Sequence, residues 1–167
     1  MSILARFFEI NSYNKTMFNH PVILSLERQR LKLCALQFAL NDAFNLLDQG
    51  DSTSEQKTET QQTIQELQTE AQQAETIFEN TIQHIIKTRP KLIVNWANQH
   101  IRFYLEIINE LKQETPPNTT FINIAEETIE QWQDVIQDKK YYVMDNPYLI
   151  KNYESRQQTY FGLVDEE

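Results

Sequence analysis

Residues 64–86 read IQELQTEAQQAETIFENTIQHII. Apolar or small side chains recur in this stretch at steps of three and four, and glutamine, glutamate and threonine fill most positions between them. That spacing places the apolar side chains on one face of a helix and is typical of a heptad seam. The predicted seam is Ile64, Leu67, Ala71, Ala74, Phe78, Thr81 and Ile85. Residues 54–63 have no apolar side chain, so we expect them to project as exposed helix or to fray as a polar loop.

Helix-breaking residues divide the chain into four segments of this kind. The sequence has only two glycines and five prolines, and both residue types favour helix ends because proline lacks an N–H group and glycine readily adopts a positive φ. Short connections between long helices favour antiparallel neighbours. We therefore predict an all-α fold, an antiparallel four-helix bundle with short extra helical segments at the N- and C-termini. The uninterrupted segments are 22–49, 51–89, 91–115 and 118–146.

The other three segments have apolar seams as well, at the same spacing. The first helix should begin at Pro21 and end before Gly50, because proline suits the first turn and glycine often follows a helix. The seam of the first helix is Leu26, Leu33, Leu36, Leu40, Phe44 and Leu47. The seam of the third is Ile93, Ala97, His100, Tyr104, Ile107 and Leu111. The seam of the fourth is Ile122, Ala125, Ile129, Trp132 and Ile136.

Polar residues near the segment ends predict the helix caps. Side-chain oxygens at 51–53 precede the second helix and those at 118–119 precede the fourth, where they can accept backbone N–H bonds. The lysines at 139–140 are expected in the last turn of the fourth helix, which the helix dipole favours for cations. The small basic cluster within 25–32 could bind an anion, but we interpret it as a solvated face with Glu27 alongside.

The 167 residues are long enough for one domain with a proper core. We expect an N-terminal arm at 1–20, in which residues 2–10 could form a short helix that lies over the apolar face of the bundle. The alternative for this short helix is an anchor to a membrane or to a partner. The four long helices then occupy 21–140, and a tyrosine-rich C-terminal segment follows at 141–167, with a possible short helix at 148–158.

The net charge of −9 makes an acidic surface the expectation. Such a surface repels phosphate backbones and anionic lipid, so we predict no binding to nucleic acid or to membrane surfaces. No apolar run approaches the roughly 20 residues that span a bilayer, and the first ten residues lack the order of a signal peptide. We expect a cytoplasmic location in the producing cell, or translocation without a cleaved signal peptide.

The sequence lacks the patterns of several common active sites. Two glycines cannot supply a phosphate-binding loop. The residues three positions before His20, His84 and His100 are not glutamate, so the Glu-x-x-His pairs of di-metal bundles are absent. Cys34 lies in the apolar run LCAL and is expected to be buried and structural rather than a nucleophile. We therefore predict no enzyme activity, no metal and no cofactor.

Two groups of aromatic residues are candidate sites. Trp96, His100 and Tyr104 could line a small-molecule pocket, although we favour His100 as a hydrogen-bonded core residue. Five of the seven tyrosines fall after residue 140, where they could dock on a partner protein or pack back on the bundle. These candidate partner-binding residues are Tyr141, Tyr142, Tyr148, Tyr153 and Tyr160.

The functional hypothesis is a non-enzymatic, soluble bacterial protein that acts by protein–protein interaction. One version is an acidic inhibitor or immunity-type protein that neutralises a basic partner, and another is a secreted effector or its chaperone. A second hypothesis is a self-associating structural protein that uses the helix at 54–88 as a coiled coil. A third is a small-molecule-binding bundle with its pocket around His100 and Tyr104. The sequence does not indicate the oligomeric state.

Overall fold

The computed structural model describes residues 20–146, which form four α-helices. Helix accounts for 82% of this described range and no strand occurs within it, which confirms the predicted all-α bundle. The predicted N-terminal arm up to residue 19 and the short helix predicted at 148–158 lie outside the described residues. The helices are α1, Pro21–Leu47; α2, Ser54–Thr88; α3, Pro90–Gln113; and α4, Thr119–Ile136.

Side-chain caps define three of the helix starts. His20 precedes Pro21, and its Nδ1 accepts a hydrogen bond from the backbone N–H of Val22 over 3.3 Å. Thr53 forms a capping box with Gln56, in which each side chain accepts from the other residue's backbone N–H. Asn118 accepts from the third residue of α4 at 3.1 Å. The caps predicted for the second and fourth helices are therefore confirmed.

The end of α4 differs from the prediction. The helix ends at Ile136, so Lys139 and Lys140 lie beyond it and not in its last turn. Asp138 adopts a left-handed φ of 61°, its N–H bonds to Val135 O, and Lys139 N–H bonds to the carbonyl five residues earlier. This is the Schellman arrangement that usually has glycine in the left-handed position. The sequence did not reveal this helix end, because aspartate, which tolerates the left-handed conformation, occupies the position where glycine is usual.

The four helices pack as two hairpins. α1 packs extensively against α2 and α3 against α4, while the contacts between the hairpins are fewer and involve mainly α2 with α3. The main core lies where the hairpins meet. It combines the apolar faces of α3 and α4 with the last part of α2, from Phe78 to Ile85, and with Ile23 and Leu26 of α1. All six seam residues predicted on α3 are buried.

The first half of α2 lies largely outside this core. Residues 54–63 are helical, and nearly all of them are exposed, so they form projecting helix and not a frayed loop. α2 has 35 residues and α4 only 18, which correspond to about 52 Å and about 27 Å of helix. No helix within the described range is long and apolar enough to cross a bilayer.

The seam of α1 is only partly as predicted. Leu26 and Leu33 are buried, but Phe44 is 44% exposed because the outer part of the α1–α2 hairpin has no further helix packed against it. The helix has a second buried face, which includes Glu27 and Arg30. The interpretation of 25–32 as a solvated face is therefore wrong at these two residues, which are 4% and 0% exposed.

A non-helical segment, residues 140–146, follows the end of α4; we call it the C-terminal strap. Val143 of the strap is fully buried in the main core. Tyr142 and Met144 pack against a separate set of buried α1 residues, the α1 cluster. The members of the α1 cluster are Leu31, Cys34, Ala35 and Phe38.

Candidate functional site

Five buried side chains within residues 20–146 form a polar cluster, composed of Glu27, Arg30, His100, Tyr104 and Asp145. Helical spacing brings these residues together. The two α1 members are three residues apart, and the two α3 members are four apart, so each pair shares one face of its helix. The strap supplies the fifth member from a position 115 residues after Arg30 in the chain.

Glu27 accepts hydrogen bonds from three neighbouring side chains. Its Oε2 accepts from Trp96 Nε1–H at 2.6 Å and from His100 Nε2 at 2.8 Å, and its Oε1 accepts from Arg30 Nη2–H at 2.7 Å. Since a carboxylate can only accept, His100 Nε2 carries the proton in this contact. Burial would raise the pKa of Glu27, but the charge of Arg30 and the contacts with His100 outweigh it and hold that pKa well below its usual range.

Arg30 connects α1 to the strap. Its Nη1 donates to the carbonyl of Val143 at 3.2 Å and to Asp145 Oδ2 at 3.3 Å. The other oxygen of Asp145 accepts a short hydrogen bond from Tyr104 OH. One guanidinium therefore lies between two buried carboxylates, those of Glu27 and Asp145, which offset its charge where water does not.

Aromatic rings pack around the charged groups. Trp132 stacks on the His100 ring with centroids 4.0 Å apart and planes within 4°. The Arg30 guanidinium carbon lies 5.3 Å from the centre of the same indole, within cation–π range. Trp96 meets Trp132 edge to face at 4.8 Å. These rings exclude water and so strengthen the ionic contacts beside them.

Tyr142 of the strap contacts a part of α1 that lies further toward its C-terminal end than Glu27 and Arg30. Its hydroxyl donates to Gln37 Oε1 at 2.9 Å and lies 3.3 Å from Cys34 Sγ, while its ring meets Phe78 edge to face. Burial and the neighbouring Cys34 raise the pKa of Tyr142 far above its ordinary value. Burial and Asp145 likewise raise the pKa of Tyr104.

The structure places the predicted site residues as follows. Trp96, His100 and Tyr104 do come together, and all three are buried, with hydrogen bonds to Glu27 or Asp145. This arrangement agrees with the interpretation of His100 as a hydrogen-bonded core residue. The small-molecule pocket around these residues remains a prediction. Tyr141 and Tyr142 are half-buried against the main core. The other three candidate tyrosines, Tyr148, Tyr153 and Tyr160, lie outside the described residues.

Three members of the cluster, Glu27, Arg30 and Asp145, were not predicted as site residues. The sequence did contain a signal for the first two. Glu27, Arg30 and Cys34 follow one another at steps of three and four residues, so they share one face of the helix. Nothing local marks Asp145. Cys34 itself is fully buried, as predicted.

The chemistry open to the cluster is limited by its burial. Each of its five side chains is hydrogen-bonded to another side chain of the protein. A ligand would have to displace the strap to reach Arg30, so the present arrangement joins α1, α3 and the strap. No group of three potential metal ligands occurs in the described part of the chain.

Two grooves on the α1–α2 hairpin are more open to solvent than the buried polar cluster. The inner groove has a volume of about 260 Å³, and its lining residues are Gln29, Lys32, Glu70, Gln73, Ala74 and Ile77. The outer groove, near the loop between the helices, has about 380 Å³ and is lined by Leu46, Gln49, Asp51, Ser52, Gln56, Glu59 and Thr60. Each groove combines an exposed apolar side chain, Ile77 or Leu46, with at least one carboxylate.

Tyr104, which is buried, and Tyr142, which is half-buried, should make the fold sensitive to alkali. Unfolded tyrosines ionise near pH 10, whereas folding raises the pKa of Tyr104 and Tyr142. Their stabilising contribution is therefore complete below about pH 10 and is lost as the pH rises above it. We expect the last tyrosinate absorbance to appear together with the loss of helical circular dichroism. Tyr104→Phe and Tyr142→Phe should each remove part of this late phase, and complete ionisation of a still-helical protein would contradict it.

No family model, curated protein or solved structure matches this chain.

Proposed function

We propose that this chain is a non-enzymatic binding protein that presents the acidic outer face of its α1–α2 hairpin to a basic protein partner, as an inhibitor or immunity-type protein would. The observation that supports the proposal most directly is the composition of α2. Between residues 58 and 86 the helix has five glutamates and neither lysine nor arginine. Burial of the apolar seam of α2 does not require this excess of negative charge.

Three of the glutamates lie on one face of α2. Glu59, Glu66 and Glu70 are separated by seven and four residues, so their directions fall within about 40° of one another at 100° per residue. All three are exposed. Carboxylates aligned in this way produce a negative potential that steers a basic partner during diffusional encounter and adds specificity more than affinity.

The two grooves lie along this acidic face and add apolar contacts to it. Glu59 lines the outer groove, and Glu70 lines the inner groove with Ile77. Leu46 is 53% exposed and Ile77 is 56% exposed. A lysine or arginine side chain can place its methylene stem on such a residue and its charged end beside a carboxylate. The surface from Glu59 to Ile77 is about 27 Å long, which suits a basic helix or loop.

The test compares two variants that change charge by the same amount. In the first, Glu59, Glu66 and Glu70 become glutamine, and in the control the exposed α4 residues Glu126, Glu127 and Glu130 become glutamine. Both should keep the helical circular dichroism of the wild type, since exposed substitutions of this kind cost little stability.

Each tagged protein is then used to capture partners from a lysate of its source organism at low and high salt. We expect one stoichiometric basic protein to be retained by the wild type and by the α4 control, released by salt, and lost from the α2 variant. Equal retention by all three proteins would contradict the proposal that the partner binds the acidic face of α2. Capture of a partner that salt does not release would refute the electrostatic mechanism.

A further inference from the structure

We propose that the C-terminal strap is a latch, which opens while the four helices stay folded and uncovers the α1 cluster. Three features of the protein support this motion: the side-chain contacts that hold the strap, the α1 cluster that it covers, and the ion pair that remains between Arg30 and Glu27 when it opens.

The strap is attached by side chains of the helices. Residues 142–146 belong to no helix or strand. The contacts that hold them include those from Arg30 to Val143 O and Asp145, from Tyr104 to Asp145, and between Tyr142 and Gln37. Segments without regular secondary structure are typically among the first to open in native-state fluctuations.

The strap also covers a set of buried side chains outside the main core. The α1 cluster is separate from the main core, and the partly buried residues packed on it are Tyr142 and Met144 of the strap. Val143 is the strap's buried member of the main core, where the other buried members all come from helices. Among the buried members of the main core, opening of the strap therefore removes Val143 alone, and the members that come from the four helices remain.

Opening leaves no buried charge without a partner. When Asp145 moves into water with the strap, Arg30 keeps Glu27 at 2.7 Å, and Glu27 keeps its bonds from Trp96 and His100. A buried charge without its partner is what makes the breaking of an internal ion pair so unfavourable. Because Arg30 is bound to two carboxylates, the strap can leave at a much smaller cost in free energy.

The chain contains a natural reporter of this motion. Cys34 is its only cysteine, is fully buried, and lies 3.3 Å from the Tyr142 hydroxyl of the strap. A thiol reagent can modify it only after the strap opens or the whole bundle unfolds. Labelling through the latch should be independent of denaturant at low concentrations, while labelling through global unfolding rises steeply with denaturant.

The experiment measures the labelling rate of Cys34 in the full chain against denaturant, beside global unfolding followed by circular dichroism. We expect wild-type labelling to be flat at low denaturant and faster than global unfolding allows. Asp145→Ala removes charge-assisted bonds and should speed labelling about 10- to 100-fold with helicity unchanged. The exposed Glu130→Ala on α4 is the control and should leave the rate within about twofold.

Two results would overturn the latch. One is wild-type labelling that follows the global unfolding curve at every denaturant concentration. The other is an Asp145→Ala rate that rises only by the factor by which its global unfolding constant rises. If the alanine variant does not fold, Asp145→Asn removes the charge with less change in shape, and the same two comparisons apply to it.

Discussion

Arg30→Ala is expected to lower the free energy of unfolding by about 3–5 kcal/mol, because it leaves the buried carboxylate of Glu27 without its cation and removes the ion pair that holds Asp145 and the strap. For a domain of this size that loss corresponds to a fall in melting temperature of roughly 6–20 °C. The effect should exceed the loss of packing around Arg30, because the penalty comes mainly from the charge of Glu27, which stays buried, and from the lost attachment of the strap.

The measurement is denaturant unfolding followed by circular dichroism, with two comparison variants. Lys32→Ala removes an exposed cation from the same helix and should change stability by less than about 0.5 kcal/mol. Arg30→Lys retains the positive charge, but a lysine cannot present the planar fork that reaches Glu27, Val143 O and Asp145 together, so its stability should be intermediate. An Arg30→Ala variant within 1 kcal/mol of wild type would contradict the paired cluster.

Trp96→Phe is expected to be about 1.5–3 kcal/mol more destabilising than Trp132→Phe, the difference reflecting a hydrogen bond to a charged group. Both indoles are fully buried, and both substitutions remove the same volume. Trp96 Nε1–H donates to Glu27, so phenylalanine takes a hydrogen bond away from a buried carboxylate. Within the described structure Trp132 Nε1 is buried without a hydrogen-bond partner, so its replacement removes an unsatisfied donor.

The same unfolding measurement tests this pair, and each variant is the other's control. Equal costs for the two substitutions would contradict this prediction. A larger cost at Trp132 would indicate that its stacking on His100 outweighs the hydrogen bond made by Trp96.

The helices were predictable from the sequence, because their seams and caps are local patterns. The α3 seam is buried at every predicted position, and Thr53 and Asn118 cap the helices as expected. The buried polar cluster was not predictable to the same extent. Charged residues such as Glu27 and Arg30 are almost always exposed unless a partner offsets their charge. Here that partner includes Asp145, whose position depends on how the chain folds back after α4.

The end of α4 and the position of the strap were likewise not predictable from local sequence patterns. The sequence pattern placed Lys139 and Lys140 in the helix, but a left-handed Asp138 ends it earlier and turns the chain back. Two of the tyrosines assigned to partner binding, Tyr141 and Tyr142, then pack against the bundle. A composition rich in tyrosine indicates amphipathic contact area, and it does not by itself distinguish a partner's surface from the protein's own.

The position of the strap so late in the chain has a consequence for synthesis on the ribosome. α1 emerges first, with Glu27 and Arg30 able to pair only with each other, and Phe38 is followed by about one hundred residues before Met144 can cover the α1 cluster. At translation speeds of about 5–20 residues per second, that interval is roughly 5–20 seconds. During this time the nascent chain displays the apolar face of α1, because the strap can close only after residues 140–146 have been synthesised.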